Sequence, residues 1–355
     1  GAGVGCYGFK QENFTCIATS EIIENRLDIQ RYNNVCKSSD NYINGDLSNH
    51  KTQQHLLTSI KNSQINDVDV VIATPPCQGM SVANHKKNNE LKRNSLVTTS
   101  IDLILQIKPK FFIFENVRSF LTTICTDLDG QLIPIKDAIN KNLSPNYNVS
   151  FHYLNFKNYS VPSSRTRTLV IGVRKDLRNI SPTDLLPEEQ SPILLSNAIG
   201  HLHSLKTMGE ISKSDIYHNF RPYPEYMLNW IKDLKQGESA FDNPNPKNIP
   251  HRVINNKIIF NKNKNGDKYK RCLYNKIGPC IHTRNDQFAS QATIHPIDNR
   301  VFSIRELMLM MTIPEDFILG PGDKVNVQYY GNENNTHKGF ISRSGELNLP
   351  SLGPV

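Results

Sequence analysis

The sequence lacks the cysteine pattern of a disulfide-stabilised or zinc-binding protein. Its seven cysteines are an odd number, lie far apart along the chain and include no Cys-x-x-Cys pair. Disulfide frameworks and structural zinc sites both need cysteines paired at short, regular spacing. We therefore expect no disulfide framework and no metal site, and a reducing compartment fits this composition best.

Long apolar runs and a secretion signal are lacking as well. No stretch is apolar over the roughly 18 residues that a membrane-spanning helix needs. The first residues also lack the basic-then-apolar pattern of a signal peptide. We therefore expect a cytoplasmic protein with no membrane contact. The chain opens on a glycine turn with no strand before it, so we expect that strand to lie upstream of Gly1.

Acidic residues are fewer than basic ones. The chain of 355 residues has 41 Lys and Arg against 33 Asp and Glu, which gives a formal net charge of +8. Such an excess favours a polyanionic partner such as nucleic acid, and a merely basic surface is the alternative. The length suits one large domain, or a large domain with a smaller one.

The texture of the chain predicts an α/β fold with a second, irregular domain. Residues 1–175 alternate short apolar runs with helical patterns, which is typical of βαβ units and a largely parallel sheet. Residues 176–290 are rich in Asn, Lys and Pro, and they predict the smaller domain. A return to the first domain is predicted for 291–355, whose C-terminal part stays unassigned. The predicted strands are 14–18, 68–73, 110–114 and 168–173, and the predicted helices are 95–107 and a capped one from Ser303 to about 311.

A glycine-rich turn at the start of the chain indicates nucleotide binding. Gly1, Ala2, Gly3 and Gly5 provide a backbone that a ligand can approach closely. Glu21 follows the predicted strand 14–18 at the distance at which a carboxylate accepts hydrogen bonds from ribose hydroxyls. Farther on, Asp46 could take an adenine amino group. Surface acids and a plain turn are the alternative, and a nicotinamide-dependent dehydrogenase would use the same features.

A cysteine stands at the end of the next predicted strand. The strand 68–73 runs into Thr-Pro-Pro-Cys, which delivers Cys77 to the edge where open α/β sheets bind ligands. Two prolines fix φ there and stiffen the exit. Glu115 follows strand 110–114 and should reach the same edge. Cytosine is a poor electrophile at C6 until its N3 side is protonated or hydrogen-bonded, and a carboxyl group with a raised pKa can supply that bond.

Two arginines precede the predicted strand 168–173. Their alternate spacing predicts that Arg165 and Arg167 share one face. One guanidinium could bind the carbonyl of a base, while the other positions a phosphate or a loop. A solvated basic pair at a strand edge is the alternative.

Taken in this order, these motifs resemble the DNA (cytosine-5)-methyltransferase family, of the bacterial restriction–modification type. The resemblance covers residues 1–175 and about 270–317. Two departures from the family pattern are Ser163, where the family usually has Gln, and the lack of a convincing last motif. The matching segments are Gly1-Ala2-Gly3, Pro75-Pro76-Cys77-Gln78, Glu115-Asn116-Val117, Arg165-Thr166-Arg167 and the stretch from Arg300 through Arg305-Glu306 to Pro314.

The resemblance implies a Rossmann-like S-adenosylmethionine-dependent methyltransferase with a target recognition domain at 176–290. Such an enzyme transfers a methyl group from S-adenosyl-L-methionine to C5 of a flipped-out cytosine in double-stranded DNA. It implies that Cys77 is the nucleophile, that Glu115 contacts N3 and the amino group, and that Arg167 contacts O2, with Arg165 beside them. The implied cofactor-binding residues are Gly1, Ala2, Gly3, Gly5, Glu21, Ile22, Asp46, Leu47, Pro76 and Leu96.

The resemblance also implies partners and leaves alternatives. A cognate restriction endonuclease is one implied partner, and a second chain that supplies the missing last motif is another. A tRNA cytosine-5 methyltransferase of the related eukaryotic type shares the Pro-Pro-Cys-Gln chemistry, but its hallmark Cys-Phe-Thr tripeptide is absent. A DNA-binding subunit of a split methyltransferase is the alternative from another functional class.

Overall fold

The computed structural model shows an α/β protein. It describes residues 1–65, 67–76, 96–255, 257–262 and 266–319, together with the backbone of four strands beyond them. Within these residues, no helix combines the length and the hydropathy needed to cross a lipid bilayer.

Two pairs of parallel strands lie in two separate sheets. β1 (Thr19–Glu21) pairs with β2 (Tyr42–Asn44), and β3 (Val70–Ala73) pairs with β4 (Phe111–Asn116). The predicted α/β fold is confirmed, and the strands predicted at 68–73 and 110–114 are present with shifted ends. The helices of this half are α1 (Val4–Gln11), α2 (Glu24–Tyr32), α3 (His50–Asn62) and α4 (Leu96–Ile107).

Two antiparallel strands extend the sheet of β3 and β4 on the β4 side. β8 (Thr166–Arg174) pairs antiparallel with β4, and β7 (Tyr147–Asn155) pairs antiparallel with β8. The order is therefore β3-β4-β8-β7. Because β8 runs opposite to β4, the first residues of β8 lie beside the last residues of β4. The predicted strand 168–173 is the middle of β8, whereas β7 is not predicted from the sequence.

The strand predicted at 14–18 is wrong. Here Asn13 has a positive φ of 64°, and the Phe14 amide donates to the Phe9 carbonyl, so the chain is still leaving α1. The Phe9 and Phe14 rings meet edge to face at 5.2 Å. Only an isolated bridge joins Cys16 to Cys36, and the strand begins at Thr19. The apolar character of 14–18 thus serves packing rather than a strand ladder.

A continuous apolar core lies against the sheet of β3, β4, β8 and β7. Gly172 of β8 makes room for a central ring, since a Cβ there would lie 2.0 Å from the Phe112 side chain. Burying each large apolar side chain stabilises the fold by about 1.5–3 kcal/mol. The hairpin of β5 (Ile124–Thr126) and β6 (Leu132–Pro134) leads into α5 (Ile135–Leu143). The fully buried members include Val97, Ile101, Ile104, Phe112, Phe114, Phe120, Ile135, Ile139, Leu143 and Val170.

Residues 176–303 contain little regular structure, and the composition predicts an irregular segment for 176–290 of them. Their own apolar cluster surrounds Trp230 and comprises Leu205, Phe220, Trp230, Ile231, Leu234, Ala240, Tyr269, Phe288, Ile294 and Val301. The longer elements are α6 (Leu195–Ile199), α7 (Leu228–Ile231), β9 (His251–Ile254) and β10 (Lys257–Phe260). Short 3-10 helices along the chain are Ser39–Asn41, Phe120–Thr122, Phe156–Tyr159, Pro182–Leu185, Glu225–Met227, Ala240–Asp242 and Pro246–Asn248.

The chain then returns to the first helices. α8 (Ile304–Met310) begins with the predicted capping box of Ser303 and Glu306. Beyond it, the Asn33 side chain donates to the Ile318 carbonyl at 2.7 Å and accepts from its amide at 2.9 Å. This pairing fastens the segment after α8 to the end of α2. The final antiparallel strands are β11 (Lys324–Tyr329), β12 (Asn335–Ile341), β13 (Leu347–Leu349) and β14 (Gly353–Pro354).

Candidate active site

The glycine turn forms the N-terminal end of α1. Gly3 has a φ of 85°, and a Cβ there would lie 2.8 Å from the Gln30 side chain, so a larger residue is excluded. Gln30 also donates to the Gly1 carbonyl at 2.6 Å. Within the described chain no side chain caps α1, which leaves the amides of its first turn to bind an anionic group. Ala2 precedes Gly3, and Gly5 lies in that first turn.

Glu21 lies at the carboxyl end of β1 and contacts the glycine turn. One carboxylate oxygen accepts a hydrogen bond from the Gly1 amino group, and the other accepts from the Ile23 amide at 3.0 Å. The Ile23 amide and the Arg26 cation, whose Nη1 lies 3.6 Å from the same carboxylate oxygen, both favour the charged form of Glu21. Glu21 is therefore an ionised acceptor, as ribose hydroxyls require.

The end of β2 lies beside Glu21. Asn44 pairs with Glu21 in the sheet, and its side-chain amide donates to the Glu21 and Ile22 carbonyls. Asp46 is exposed two residues later, while Leu47 is half-buried in a cluster that includes Leu103 of α4. Ile22 is 59% exposed. Glu21 thus ends β1, Asp46 follows the paired strand β2, and each is next in sequence to an apolar side chain.

Two further residues of the predicted cofactor set lie at element ends. Leu96 is half-buried at the start of α4, and Pro76 is exposed beyond β3. The residue after Pro76, the predicted nucleophile Cys77, lies outside the described residues.

Glu115 and Arg167 form an ion pair where β4 ends and β8 begins. The Arg167 Nε lies 3.0 Å from Glu115 Oε1. The strand register explains this contact. Asn116 of β4 pairs with Thr168 of β8, so the residues next to them, Glu115 and Arg167, lie on neighbouring strands at the same end of the sheet. The two side chains keep 33% and 15% of their surface exposed, so the carboxylate is oriented yet open to a ligand. Both residues are predicted from the sequence, and the structure brings them together.

Asn116 ties the end of β4 to the segment after β3. Its amide donates to the Pro75 carbonyl at 2.8 Å, and its oxygen accepts from the Val117 amide at 2.8 Å. Asn116 is 4% exposed, so these bonds are shielded from water. Although Asn116 belongs to a sequence motif, the sequence predicts no role for it. A polar amide directly after a strand-end acid was the available signal.

Arg165 has a different partner from Arg167. Its guanidinium donates to the Ile281 carbonyl at 2.8 Å. Nearby, Gly278 exchanges backbone hydrogen bonds with Pro162 and Ser164, at 3.1 and 2.9 Å. A Cβ on Gly278 would lie 2.7 Å from the Pro162 carbonyl oxygen, so only glycine fits. This contact of 278–281 with 162–165 is not predicted from the sequence, in which the Gly-Pro dipeptide at 278–279 is its only signal.

A buried polar cluster supports α8. The Arg300 guanidinium donates to both Glu306 oxygens at 2.7 and 2.8 Å and lies 2.8 Å from an Asp298 oxygen. Burial lowers the pKa of His295 to about 4, against the attraction of Glu306. His295 is therefore neutral near pH 7. Because these groups bind one another in the interior, removal of one of them would leave an uncompensated buried charge.

Comparison with known proteins identifies the family. A family model described as C-5 cytosine-specific DNA methylase matches residues 1–333. The chain belongs to this family. Similar to this methylase are the Type II methyltransferase M1.HgaI of Avibacterium volantium, 29% identical with 89% of this chain and 87% of that protein covered, and M.XorII of Xanthomonas oryzae, 25% identical with 89% and 76% covered.

Solved structures share the fold of the methylase. A DNA modification methyltransferase encoded within an E. coli prophage gives a TM-score of 0.61 at 17% identity, covering 89% of this chain and 87% of that one. The Entamoeba histolytica methyltransferase EhMeth gives 0.50 at 15% identity, covering 91% and 88%. The family assignment confirms the resemblance inferred from the motifs, and the protein is a DNA cytosine-C5 methyltransferase.

Proposed function

We propose that this methylase forms a covalent bond between Cys77 and C6 of a flipped-out cytosine, and that Glu115 and Arg167 hold that base. The observation that carries the proposal is the Glu115–Arg167 pair at one end of β4. The neighbouring Asn116 binds the carbonyl of Pro75, two residues before Cys77 in the sequence. One short stretch of β4 therefore orients the carboxylate and fixes the start of the segment that carries the thiol.

We propose S-adenosyl-L-methionine as the methyl donor, held at the ends of β1 and β2. When bound, it supplies an electrophilic methyl group on a sulfonium. Glu21 would accept from the ribose hydroxyls, Asp46 would accept from the adenine amino group, and Ile22 would pack on the ring. The uncapped amides of α1 suit the carboxylate of the methionine part. The proposed set is completed by Gly1, Ala2, Gly3, Gly5, Leu47, Pro76 and Leu96.

The residues at the end of β4 and the start of β8 divide the chemistry on the base. The Cys77 thiolate adds to C6, while Glu115 binds the N3 side and Arg167 binds O2. The electron pair of the C5–C6 double bond thereby moves toward C5, which becomes nucleophilic. C5 takes the methyl group, and the donor leaves as a neutral thioether. A base then removes the C5 proton, the electron pair of that C–H bond re-forms the C5–C6 double bond, and the C6–S bond breaks to release the Cys77 thiolate. Flipping the base out of the duplex costs a few kcal/mol, which contacts in the pocket offset.

The proposal assigns DNA recognition to residues 176–290, with residues 1–175 and 291–355 forming the catalytic domain. A net basic, loop-rich segment suits a phosphate backbone and variable base contacts. A cognate restriction endonuclease is a proposed partner, because the relatives M1.HgaI and M.XorII are named Type II methyltransferases. A second chain that supplies the last family motif is the other proposed partner.

The test uses covalent trapping as well as methyl transfer. The enzyme is incubated with S-adenosylmethionine and a duplex in which 5-fluorocytosine replaces cytosine. Because fluorine cannot leave C5 as a proton does, the adduct should persist and survive denaturation. We expect a trapped complex with the natural chain and none with Cys77→Ser, which should also lose methyl transfer while still binding DNA. Cys16→Ser is the matched control, since its half-buried thiol donates to the Ala18 carbonyl and accepts from the Cys36 thiol, and a hydroxyl can do both.

Several outcomes would contradict the proposal. Near-normal turnover by Cys77→Ser would remove the nucleophile from residue 77. Methyl transfer to tRNA but not to duplex DNA would assign the chain to the RNA-modifying branch. Activity that appears only after a second chain is added would make it one subunit of a split enzyme.

A further inference from the structure

The hairpin of β9 and β10 exposes an apolar surface that the fold itself does not cover. Val253 is 61% exposed, Ile258 is 56% exposed and Phe260 is 48% exposed. Ile254 and Ile259 on the same two strands are also exposed. An isolated two-stranded ribbon is marginally stable in water at best, so exposure of this kind calls for a partner.

The charge of this hairpin shows what kind of partner it fits. Between Asp242 and Asp267 the sequence has no acidic residue but has five cationic ones, Lys247, Arg252, Lys257, Lys262 and Lys264. Arg252 and Lys257 lie on the ribbon itself and are exposed. Apolar side chains that alternate with cationic ones, with no acidic residue between them, match a polyanion better than they match another apolar protein surface.

The root of the ribbon is anchored on one face. The His251 ring lies 5.5 Å from Trp230 and 6.1 Å from Phe260, and the Asn261 amide donates to the Pro250 carbonyl at 2.9 Å. In the antiparallel register, His251 opposes Phe260 and Val253 opposes Ile258, so these four share the anchored face. The other face carries Arg252 opposite Ile259 and Ile254 opposite Lys257.

We propose that this ribbon enters the major groove of the DNA target and reads base edges there, an assignment that rests on the proposed function. A two-stranded ribbon, with strands about 4.8 Å apart plus side chains on both faces, fits the major groove of about 12 Å but not the minor groove of about 6 Å. A groove surrounds a ribbon and covers both of its faces, whereas a flat protein surface covers only one. Exposure on both faces of β9 and β10 therefore favours the groove.

The face opposite to the anchored one carries side chains that can recognise base edges. Arg252 can donate two hydrogen bonds to the major-groove edge of a guanine, and Ile254 and Ile259 can contact thymine methyl groups. Lys257 is placed to bind a phosphate or a second base. Not every cation of this region takes part: Arg271, in the same basic stretch of the sequence, is buried and donates to the His295, Asp298 and Ile231 carbonyls.

The experiment compares two double variants of the full chain that remove the same charge. One is Arg252→Ala with Lys257→Ala. The matched control is Lys175→Ala with Arg178→Ala, two exposed cations beyond the end of β8, at the sheet edge opposite to Glu115. Bisulfite sequencing of DNA from expressing cells defines the methylated word, and a duplex with that word is used to measure binding against salt concentration.

We expect the hairpin variant to bind the cognate duplex about 10-fold or more weakly and to relax the methylated word at one or two positions, since a good bidentate pairing with a base discriminates by that order. The slope of log affinity against log salt should fall by about one for each phosphate that the variant no longer neutralises. The control variant should keep the affinity, the slope and the word of the natural chain. A further variant, Ile254→Thr, keeps the β-branched shape and should alter the word without changing the salt slope.

Two outcomes would overturn the inference. The first is a hairpin variant whose affinity, salt slope and methylated word equal those of the natural chain. The second is a natural chain that self-associates in sedimentation and becomes monomeric on Arg252→Ala with Lys257→Ala, which would make the ribbon an interface between copies. If the natural chain transfers no methyl group at all, the proposed function fails, and selection of bound duplexes from a random pool still tests the hairpin by itself.

Discussion

Two arginine–glutamate pairs in this molecule have the same chemistry but opposite surroundings. At the sheet edge, Arg167 and Glu115 keep 15% and 33% of their side chains exposed. In the scaffold of α8, Arg300 and Glu306 keep only 2% and 1%. The first pair is joined through Glu115 Oε1, whereas the second uses both carboxylate oxygens and adds Asp298.

Exposure separates the charge proposed for catalysis from the buried charge of the α8 scaffold in these two pairs. The exposed carboxyl group of Glu115 remains accessible to a base that enters from solvent. In the proposed mechanism it accepts from the amino group of the cytosine and, in its protonated form, donates to N3, while the Arg167 contact sets the direction in which it points. Arg300 and Glu306 are desolvated and bound to each other, so breaking them would leave an uncompensated buried charge. We call Arg167–Glu115 the open pair and Arg300–Glu306 the closed pair. We therefore expect the open pair to control turnover and the closed pair to control stability.

The strongest effect is predicted at the open pair. Glu115→Gln keeps the size of the side chain but removes the proton-exchanging group, so kcat should fall by about 10²–10⁴. The thermal midpoint of unfolding should change little, because the pair is part-exposed and contributes little to stability. Steady-state kinetics on cognate duplex and a thermal melt give the two values. Glu315→Gln, a change at an exposed acid outside the segment proposed for DNA recognition, is the control.

The separate changes in kcat and in KM decide what Glu115 does. A fall in kcat with KM unchanged places the carboxylate in the transition state. If Glu115→Gln raises only KM, the residue binds the base without activating it, and the distinction between the two pairs is reduced to a difference in binding.

The second prediction removes the closed pair. Arg300→Met should lower the free energy of unfolding by about 3–5 kcal/mol, because Glu306 and Asp298 would remain buried without their cation. Urea denaturation measures the loss. Adding Glu306→Gln to Arg300→Met should restore part of it, since the charge left behind is then removed. A double variant as unstable as the sum of both single variants would show that the two residues are not coupled.

The same contrast shows how far the sequence predicts the site. Glu115 and Arg167 are predictable because strand ends leave a strong local signal: apolar runs that stop at a charged residue. Their contact depends on β8 running antiparallel to β4, which sequence spacing does not encode. The strand prediction at 14–18 is wrong for a related reason. The Phe14 ring, 46% exposed, meets Phe9 edge to face, and hydrophobic periodicity does not separate such a local contact from a strand ladder.

Residues 176–303 are the least predictable, since their order comes from tertiary contacts. Arg271 stands in a run of lysines that suggests a DNA-facing surface, yet its guanidinium is buried among backbone carbonyls. Gly278 gives only a turn signal, although it joins this region to the Arg165 segment. In a loop-rich chain, neighbours in sequence say little about which side chain faces inward.

The weakest predicted effect concerns pH and His295 of the closed cluster. Burial holds the pKa of His295 at about 4, below its ordinary value of 6.5, although the Glu306 and Asp298 carboxylates pull it upward and Arg300 and Arg271 push it down. The unfolded chain therefore binds more protons between these two values, so stability is complete above pH 6.5 and is lost as the pH falls toward 4. We expect a loss on the order of 2 kcal/mol between pH 7 and pH 5 from this residue. His295→Asn, whose oxygen can replace Nδ1 as acceptor of the Asp298 amide, should flatten the dependence measured by urea denaturation. If the slope of stability against pH is unchanged in this variant, other histidines control the acid response. The buried carboxylates around His295 would then be held by Arg300 alone.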